Sequence, residues 1–224
     1  MLKNKKYALI DMDGVLYDSM RYHTKAWHQL MDELGLHTTR EEFYLYEGMT
    51  GTDTINLIFK RERGYTVSPE QARELYARKA RIFIEYGSKE VMPGAQQMID
   101  NLLQAGIRCV LVTGSAQNSL ISRLDDDFPG AFPHDMRVTA LDVTHGKPDP
   151  EPYLKGLAKT GVSPEEVFVI ENAPLGVRAA KAAGLDTVAV TTGPIPRKAF
   201  EEEKADLIFD SMPQFAARLP ELLN

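Results

Sequence analysis

The sequence is poor in the features that mark special classes of protein. It has a single cysteine, Cys109, in 224 residues, which excludes an internal disulfide. The apolar run around it at 107–112 reads as a buried strand with the thiol as a small core hydrophobe. Positive charge is in deficit, with 26 Lys and Arg against 32 Asp and Glu and a formal net charge of −6. No global basic field therefore exists to hold nucleic acid or an anionic membrane. No segment approaches the ~20 apolar residues of a membrane span, and the apolar stretch at 7–10 is far shorter than that of a signal peptide. Repeats and low-complexity tracts are missing, and the charge runs at 60–63, 125–127 and 201–203 read as solvated faces. A soluble, cytoplasmic, monomeric protein with neither a nucleic-acid nor a membrane partner is expected.

What remains is ordinary globular composition, 43% hydrophobic and 26% charged, in a chain long enough to bury a core without covalent staples. The length suits one domain plus a modest insertion. Short apolar runs at 7–10, 109–112, 138–141, 167–170, 187–190 and 207–209 alternate mostly with helical patterns. That alternation predicts an α/β fold, a Rossmann-like doubly wound parallel sheet with helices on both faces. Pro93 and Gly106 are expected to open and close one helix, and Gly184 to close another.

The interval 18–90 breaks the pattern. It reads as helices over about 19–34, about 40–46, after Thr52 and over 69–86, the last with Ser68 as N-cap, Pro69 at the first helical position and Gln71 as capping-box partner. The expected division is a core of 1–17 and 91–224 with a helical cap domain at 18–90 inserted after the first strand.

Four strand ends carry polar groups suited to one chemistry. Asp11-Met12-Asp13-Gly14 follows the first strand, and ligands of open parallel sheets bind outside such carboxyl ends. Two carboxylates this close need a cation or a shared proton, and Mg²⁺, which takes one or two carboxylates plus water and phosphate oxygens, fits. Thr113-Gly114-Ser115 offers hydroxyls and backbone N–H groups before a helix, which suits a phosphate. Lys147 is a cation held by Pro148, and Glu171-Asn172 supplies two oxygen ligands for a hard cation.

In this order the motifs resemble those of the haloacid dehalogenase (HAD) superfamily, and the resemblance covers nearly the whole chain. The helical insertion is similar to the α-helical cap of the subfamily that includes β-phosphoglucomutase. The resemblance implies that Asp11 is the nucleophile that takes the phosphoryl group, and that Asp13 is the general acid for the leaving oxygen and then the base for water. It also implies that Thr113, Gly114, Ser115 and Lys147 bind the phosphoryl oxygens. Mg²⁺ is the implied cofactor, with Asp11, Asp13, Glu171 and Asn172 as its ligands. His23, on the apolar stripe of the helix after Ser19, matches a mutase histidine that contacts the acid/base aspartate. Lys79 matches a mutase lysine that reaches the substrate.

Glu47 and Gly51 depart from the mutase pattern, which has a lysine and a phosphate-gripping arginine at those places. An acidic residue facing an anionic site repels phosphate unless it binds metal, so Glu47 is expected to join the Mg²⁺ ligands. In doing so it would offset the charge lost where Asn172 replaces the usual aspartate. This combination is similar to a HAD-type inorganic pyrophosphatase. The expected activity is thus Mg²⁺-dependent phosphohydrolysis of a small phosphorylated partner, pyrophosphate first, with a β-phosphoglucomutase or small sugar-phosphate phosphatase as alternative. Two further readings fit less well. A dehalogenase lacks the second aspartate, and a phosphoaspartate receiver-type switch is shorter and lacks the insertion.

Overall fold

The computed structural model describes residues 2–87, 90–115 and 118–224. In chain order the regular elements are β1 (Tyr7–Ile10), α1 (Met20–Glu33), α2 (Glu42–Leu45), α3 (Gly51–Arg63), α4 (Pro69–Glu85), α5 (Ala95–Gln104), β2 (Arg108–Val112), α6 (Asn118–Ile121) and α7 (Leu124–Asp127). There follow β3 (Arg137–Val138), α8 (Glu151–Thr160), β4 (Val167–Glu171), α9 (Pro174–Ala182), β5 (Asp186–Val190), α10 (Arg197–Glu202), β6 (Leu207–Phe209) and α11 (Met212–Leu223).

The six strands form one parallel sheet in the order β3-β2-β1-β4-β5-β6. Its faces follow from the two-residue strand period. Ala8 and Ile10 point with Leu111 and Ile170 into a core that includes Met98 of α5 and Phe215 of α11. Tyr7 and Leu9 point the other way, with Val110 and Val169, against Tyr153 of α8 and Ala180 of α9. A sheet covered on both faces needs strands that are apolar throughout, which is why its strands read as runs and not alternations. The chain runs outward from β1 through β2 to β3, then crosses to β4 on β1's other side. The crevice beyond the carboxyl ends of β1 and β4 is therefore a topological switch point.

The insertion leaves and rejoins the core side by side. Asp18 N–H donates to Glu90 O at 3.0 Å and Met92 N–H to Leu16 O at 2.9 Å, beside an antiparallel bridge from Tyr17 to Val91. Residues 18 and 90 are thus paired across a neck; residues 88 and 89 lie outside the described residues. Within the insertion α4 packs against α1 and α3. Ser68 Oγ accepts from Gln71 N–H at 3.2 Å, and Pro69 stands at the first helical position as expected.

Two sequence expectations about regular elements are corrected. The 138–141 run is a strand only through Val138, because Asp142 Oδ2 takes the Thr139 N–H at 2.7 Å and its hydroxyl at 2.8 Å and closes a turn. Leu141, expected inside, is 81% exposed. The helix expected to open at Pro93 begins at Ala95, with Gly94 as N-cap at φ 90°. The helix start expected directly after Ser115 falls on residues 116 and 117, outside the described residues.

Candidate active site

Asp11 and Asp13 lie just past β1, and the backbone turns there because Gly14 takes φ 79°, a left-handed conformation open to glycine. Asp11 is buried, and its Oδ1 accepts from Lys147 Nζ at 2.5 Å. Lys147 Nζ also donates to Glu171 Oε1 at 2.6 Å and to Val112 O at 3.2 Å. Burial opposes the charge on this lysine, but the Asp11 and Glu171 carboxylates outweigh it and hold the ammonium well above its ordinary pKa. Asp11 is pushed up to about 8 by burial, with Glu171 and Asp13 adding to the rise and Lys147 opposing it.

Glu171, expected as a metal ligand, has both oxygens committed elsewhere. Oε1 accepts from Lys147 and, at 2.7 Å, from the Tyr153 hydroxyl, while Oε2 accepts from the N–H groups of Asn172 and Ala173 at 2.9 and 3.0 Å. The carboxylate is fully buried and orients Lys147. Tyr153 escaped the sequence reading because it lies on a helix far along the chain from any motif.

Asp13 faces the insertion. Its Oδ1 accepts from Ser19 Oγ at 2.6 Å and lies 3.0 Å from His23 Nε2. Lys79 Nζ stands 2.5 Å from His23 Nδ1. An Nε2–H tautomer satisfies both histidine contacts, donating to Asp13 and accepting from Lys79. Burial works to raise the Asp13 pKa, but His23, Ser19 and Lys79 outweigh it and hold the carboxyl below its ordinary value. His23 stacks on Phe83 at 4.0 Å between ring centroids. Ser19, read as the start of a helix, makes no cap hydrogen bond because its hydroxyl is turned to Asp13.

Lys79 is buried with its ammonium over the Trp27 and Phe83 rings, 5.0 and 5.3 Å from their centroids, so it reaches into the site and does not snorkel. Burial lowers its pKa to about 7, against the pull of Asp13. Between about 7 and the ordinary lysine value of 10.5 the folded protein binds fewer protons at this group than the unfolded chain. The stability cost of burying Lys79 is therefore full below that window and is relieved as pH rises through it. The melting temperature of the wild type minus that of Lys79→Met is expected to rise from about pH 7 to about pH 9. A flat difference would show that Lys79 stays charged throughout.

Glu47 is buried in the same crevice, and its Oε1 accepts from Asn172 Nδ2 at 2.8 Å. Burial and the nearby Asp11 carboxylate push Glu47 well above its ordinary pKa, against the Asn172 hydrogen bond. Asn172 Oδ1 is a buried oxygen without a hydrogen-bond partner. Lys147 answers Asp11 and Glu171, and His23 and Lys79 answer Asp13, but among the described residues Glu47 has no cation beside it and the Asn172 oxygen is unsatisfied, and these oxygens with Asp11 form a donor set that fits a hard divalent cation. Among the described residues no three His, Cys, Asp or Glu side chains converge on one point for a metal. A cation here would be completed by amide, water and phosphate oxygens.

Thr113, Gly114 and Ser115 face this crevice from the end of β2, with Ser115 N–H donating to Thr113 Oγ1 at 3.0 Å. The insertion approaches them closely: a Cβ on Gly114 would lie 2.7 Å from Gly48 O, so only glycine fits beneath the 47–51 loop. Asp11, Asp13, His23, Glu47, Lys79, Thr113, Gly114 and Ser115 line one cavity of about 60 Å³. Trp27, Phe43 and Tyr76 also line it, aromatic walls that no motif announced.

The chain matches the model of the haloacid dehalogenase-like hydrolase family over residues 5–184. It is 28% identical over 209 residues to hexitol phosphatase A of Escherichia coli, covering 93% of this chain and 92% of that protein. It is 30% identical over 198 residues to the β-phosphoglucomutase of Bacillus subtilis, covering 84% of each. A solved structure from Bacteroides vulgatus, provisionally assigned as a β-phosphoglucomutase, is 44% identical at a TM-score of 0.93, covering 97% of this chain and 88% of that one. These relatives fit the sugar-phosphate alternative better than the pyrophosphate expectation, and the expected nearness to a pyrophosphatase finds no support among them.

Proposed function

The chain belongs to the haloacid dehalogenase-like hydrolases, in the company of β-phosphoglucomutase, and from that premise we propose that it hydrolyses small phosphorylated sugars or polyols through a phosphoryl group carried on Asp11. The observation that carries this reading is Asp11, held at 2.5 Å by Lys147, on a small cavity that also receives Asp13, Thr113 and Ser115.

In the proposed reaction Asp11 attacks phosphorus in line with the leaving oxygen, the phosphorus–oxygen bond breaks, and Asp13 delivers a proton to the departing alcohol. Asp13 then accepts a proton from water as that water attacks the phosphorylated Asp11, and inorganic phosphate leaves with the Asp11 carboxylate regenerated. Lys147 and the Thr113 and Ser115 hydroxyls stabilise the equatorial oxygens, where the charge is spread. A Mg²⁺ ion held by Asp11, the Asn172 oxygen and Glu47 would neutralise phosphate charge as a Lewis acid. Asp13 enters the first step protonated and regains that proton from the water in the second; His23 and Ser19 orient it through their contacts with Oδ1, and the helical insertion acts as a cap that excludes bulk water. Asp13→Asn is expected to lower kcat by ~10²–10⁴-fold, read as phosphate release at saturating substrate. Unimpaired release would remove Asp13 from the proton-transfer role.

One observation favours a second reading. The catalytic cavity of about 60 Å³ is far below the ~300–1,000 Å³ of ordinary ligand clefts. The small cavity suits a very compact substrate such as inorganic pyrophosphate. A mutase role is disfavoured because Gly51 brings no cation to the cavity. A kcat/KM screen across hexose, hexitol and glycerol phosphates, pyrophosphate, and β-glucose 1-phosphate with its bisphosphate decides among these. Failure to release phosphate from any of them would overturn the hydrolase reading.

A further inference from the structure

A second cavity, about 600 Å³, lies between the insertion and the core beside the catalytic one. Its walls are Ala77, Ala80 and Ile84 of α4 on one side and Ala140, Leu141 and Val143 of the loop after β3 on the other. Among the described residues only Gly51 and Tyr76 line both cavities. They are in close contact: an ideal Cβ on Gly51 would fall 2.1 Å from Tyr76 Cδ2 and 2.4 Å from Cε2. The ring therefore lies against the first turn of α3, where any larger residue would displace it. Trp27 supports it from α1, with ring centroids 6.1 Å apart.

Taking as given the phosphohydrolase reading above, we infer that Tyr76 is a specificity-determining residue that sets the upper size of the leaving group by standing between the catalytic cavity and the outer cleft. The phosphoryl group must sit among Asp11, Thr113 and Lys147, so the rest of an ester extends toward the insertion. A compact alcohol fits inside the wall of aromatic rings. A bulky one would have to pass through the place of the Tyr76 ring, beyond which the cleft has ample, mostly apolar room. Removing the ring joins the two spaces and leaves Asp11, Thr113 and Lys147 in place, while Lys79, 6.0 Å from the Tyr76 ring centroid, keeps its contacts with Trp27 and Phe83. Discrimination here is steric, so it acts on the ratio between substrates and not on turnover in general.

The test compares kcat/KM for glycerol 3-phosphate and for 4-methylumbelliferyl phosphate in the wild type, Tyr76→Phe, Tyr76→Leu and Tyr76→Ala. The bulky-to-compact ratio is expected to rise by about tenfold or more in Tyr76→Ala, less in Tyr76→Leu, and to stay at the wild-type value in Tyr76→Phe. Adding Ala80→Trp to Tyr76→Ala, which fills the outer cleft, is expected to reverse the gain. A ratio unchanged by Tyr76→Ala, or a rise in Tyr76→Phe equal to that in Tyr76→Ala, overturns the inference. If Tyr76→Ala does not fold, the Tyr76→Leu ratio decides alone. If the wild type releases no phosphate at all, the function proposed above fails, and the gate is judged by binding. Asp11→Asn/Tyr76→Ala is then expected to bind 4-methylumbelliferyl phosphate at least about tenfold more tightly than Asp11→Asn, and equal affinities overturn it.

Discussion

Asp11→Asn is expected to abolish phosphate release while leaving the protein folded. The amide keeps the shape of the side chain but offers no anionic oxygen to attack phosphorus, and loss of a covalent nucleophile reduces turnover by on the order of 10⁴-fold or more. Stability is expected to hold or rise. Burial holds Asp11 at a pKa of about 8, so its ionised form is a cost at neutral pH, and the amide removes that cost. Lys147 retains Glu171 at 2.6 Å as its counter-ion. The measurements are phosphate release, a thermal melt, and intact mass after substrate addition, where only the wild type should carry a phosphoryl adduct. Release by the variant above about a hundredth of the wild-type rate would sink the nucleophile assignment.

Lys147→Met should produce the opposite pattern, losing activity and stability together. Lys147 is buried between the Asp11 and Glu171 carboxylates at 2.5 and 2.6 Å. Its removal leaves the buried Asp11 and Glu171 carboxyl groups without the cation that answers both. Breaking a buried ion pair from one side costs roughly 3–5 kcal/mol, which in a chain of this size lowers the melting temperature by roughly 6–20 °C. Because Asp11 shares the ion pair, Lys147→Met/Asp11→Asn should be more stable than Lys147→Met alone, a non-additivity that reports direct coupling. A single variant melting within about 2 °C of the wild type would mean that the triad contributes no net stability.

Much of this architecture is legible locally. Six apolar runs between helical patterns announce a parallel sheet because buried strands must be apolar on both faces, and β1 and β6 begin and end where their runs do. The 138–141 run misled because its apolar content is strand-like, yet the Asp142 carboxylate claims the Thr139 N–H that a ladder would need.

The sequence by itself determined the fold class and the order in which Asp11, Asp13, Thr113, Lys147 and Asn172 follow the strands, because spacing along the chain encodes both. Tertiary structure alone decided what those groups do to one another. It turned Glu171 from an expected ligand into the partner of Lys147 and Tyr153, brought Lys79 through His23 to Asp13, and set Tyr76 against Gly51 between two cavities. The physical reason is that desolvation and Coulomb coupling act over a few ångströms in space, while the partners lie 10 to 136 residues apart in the chain.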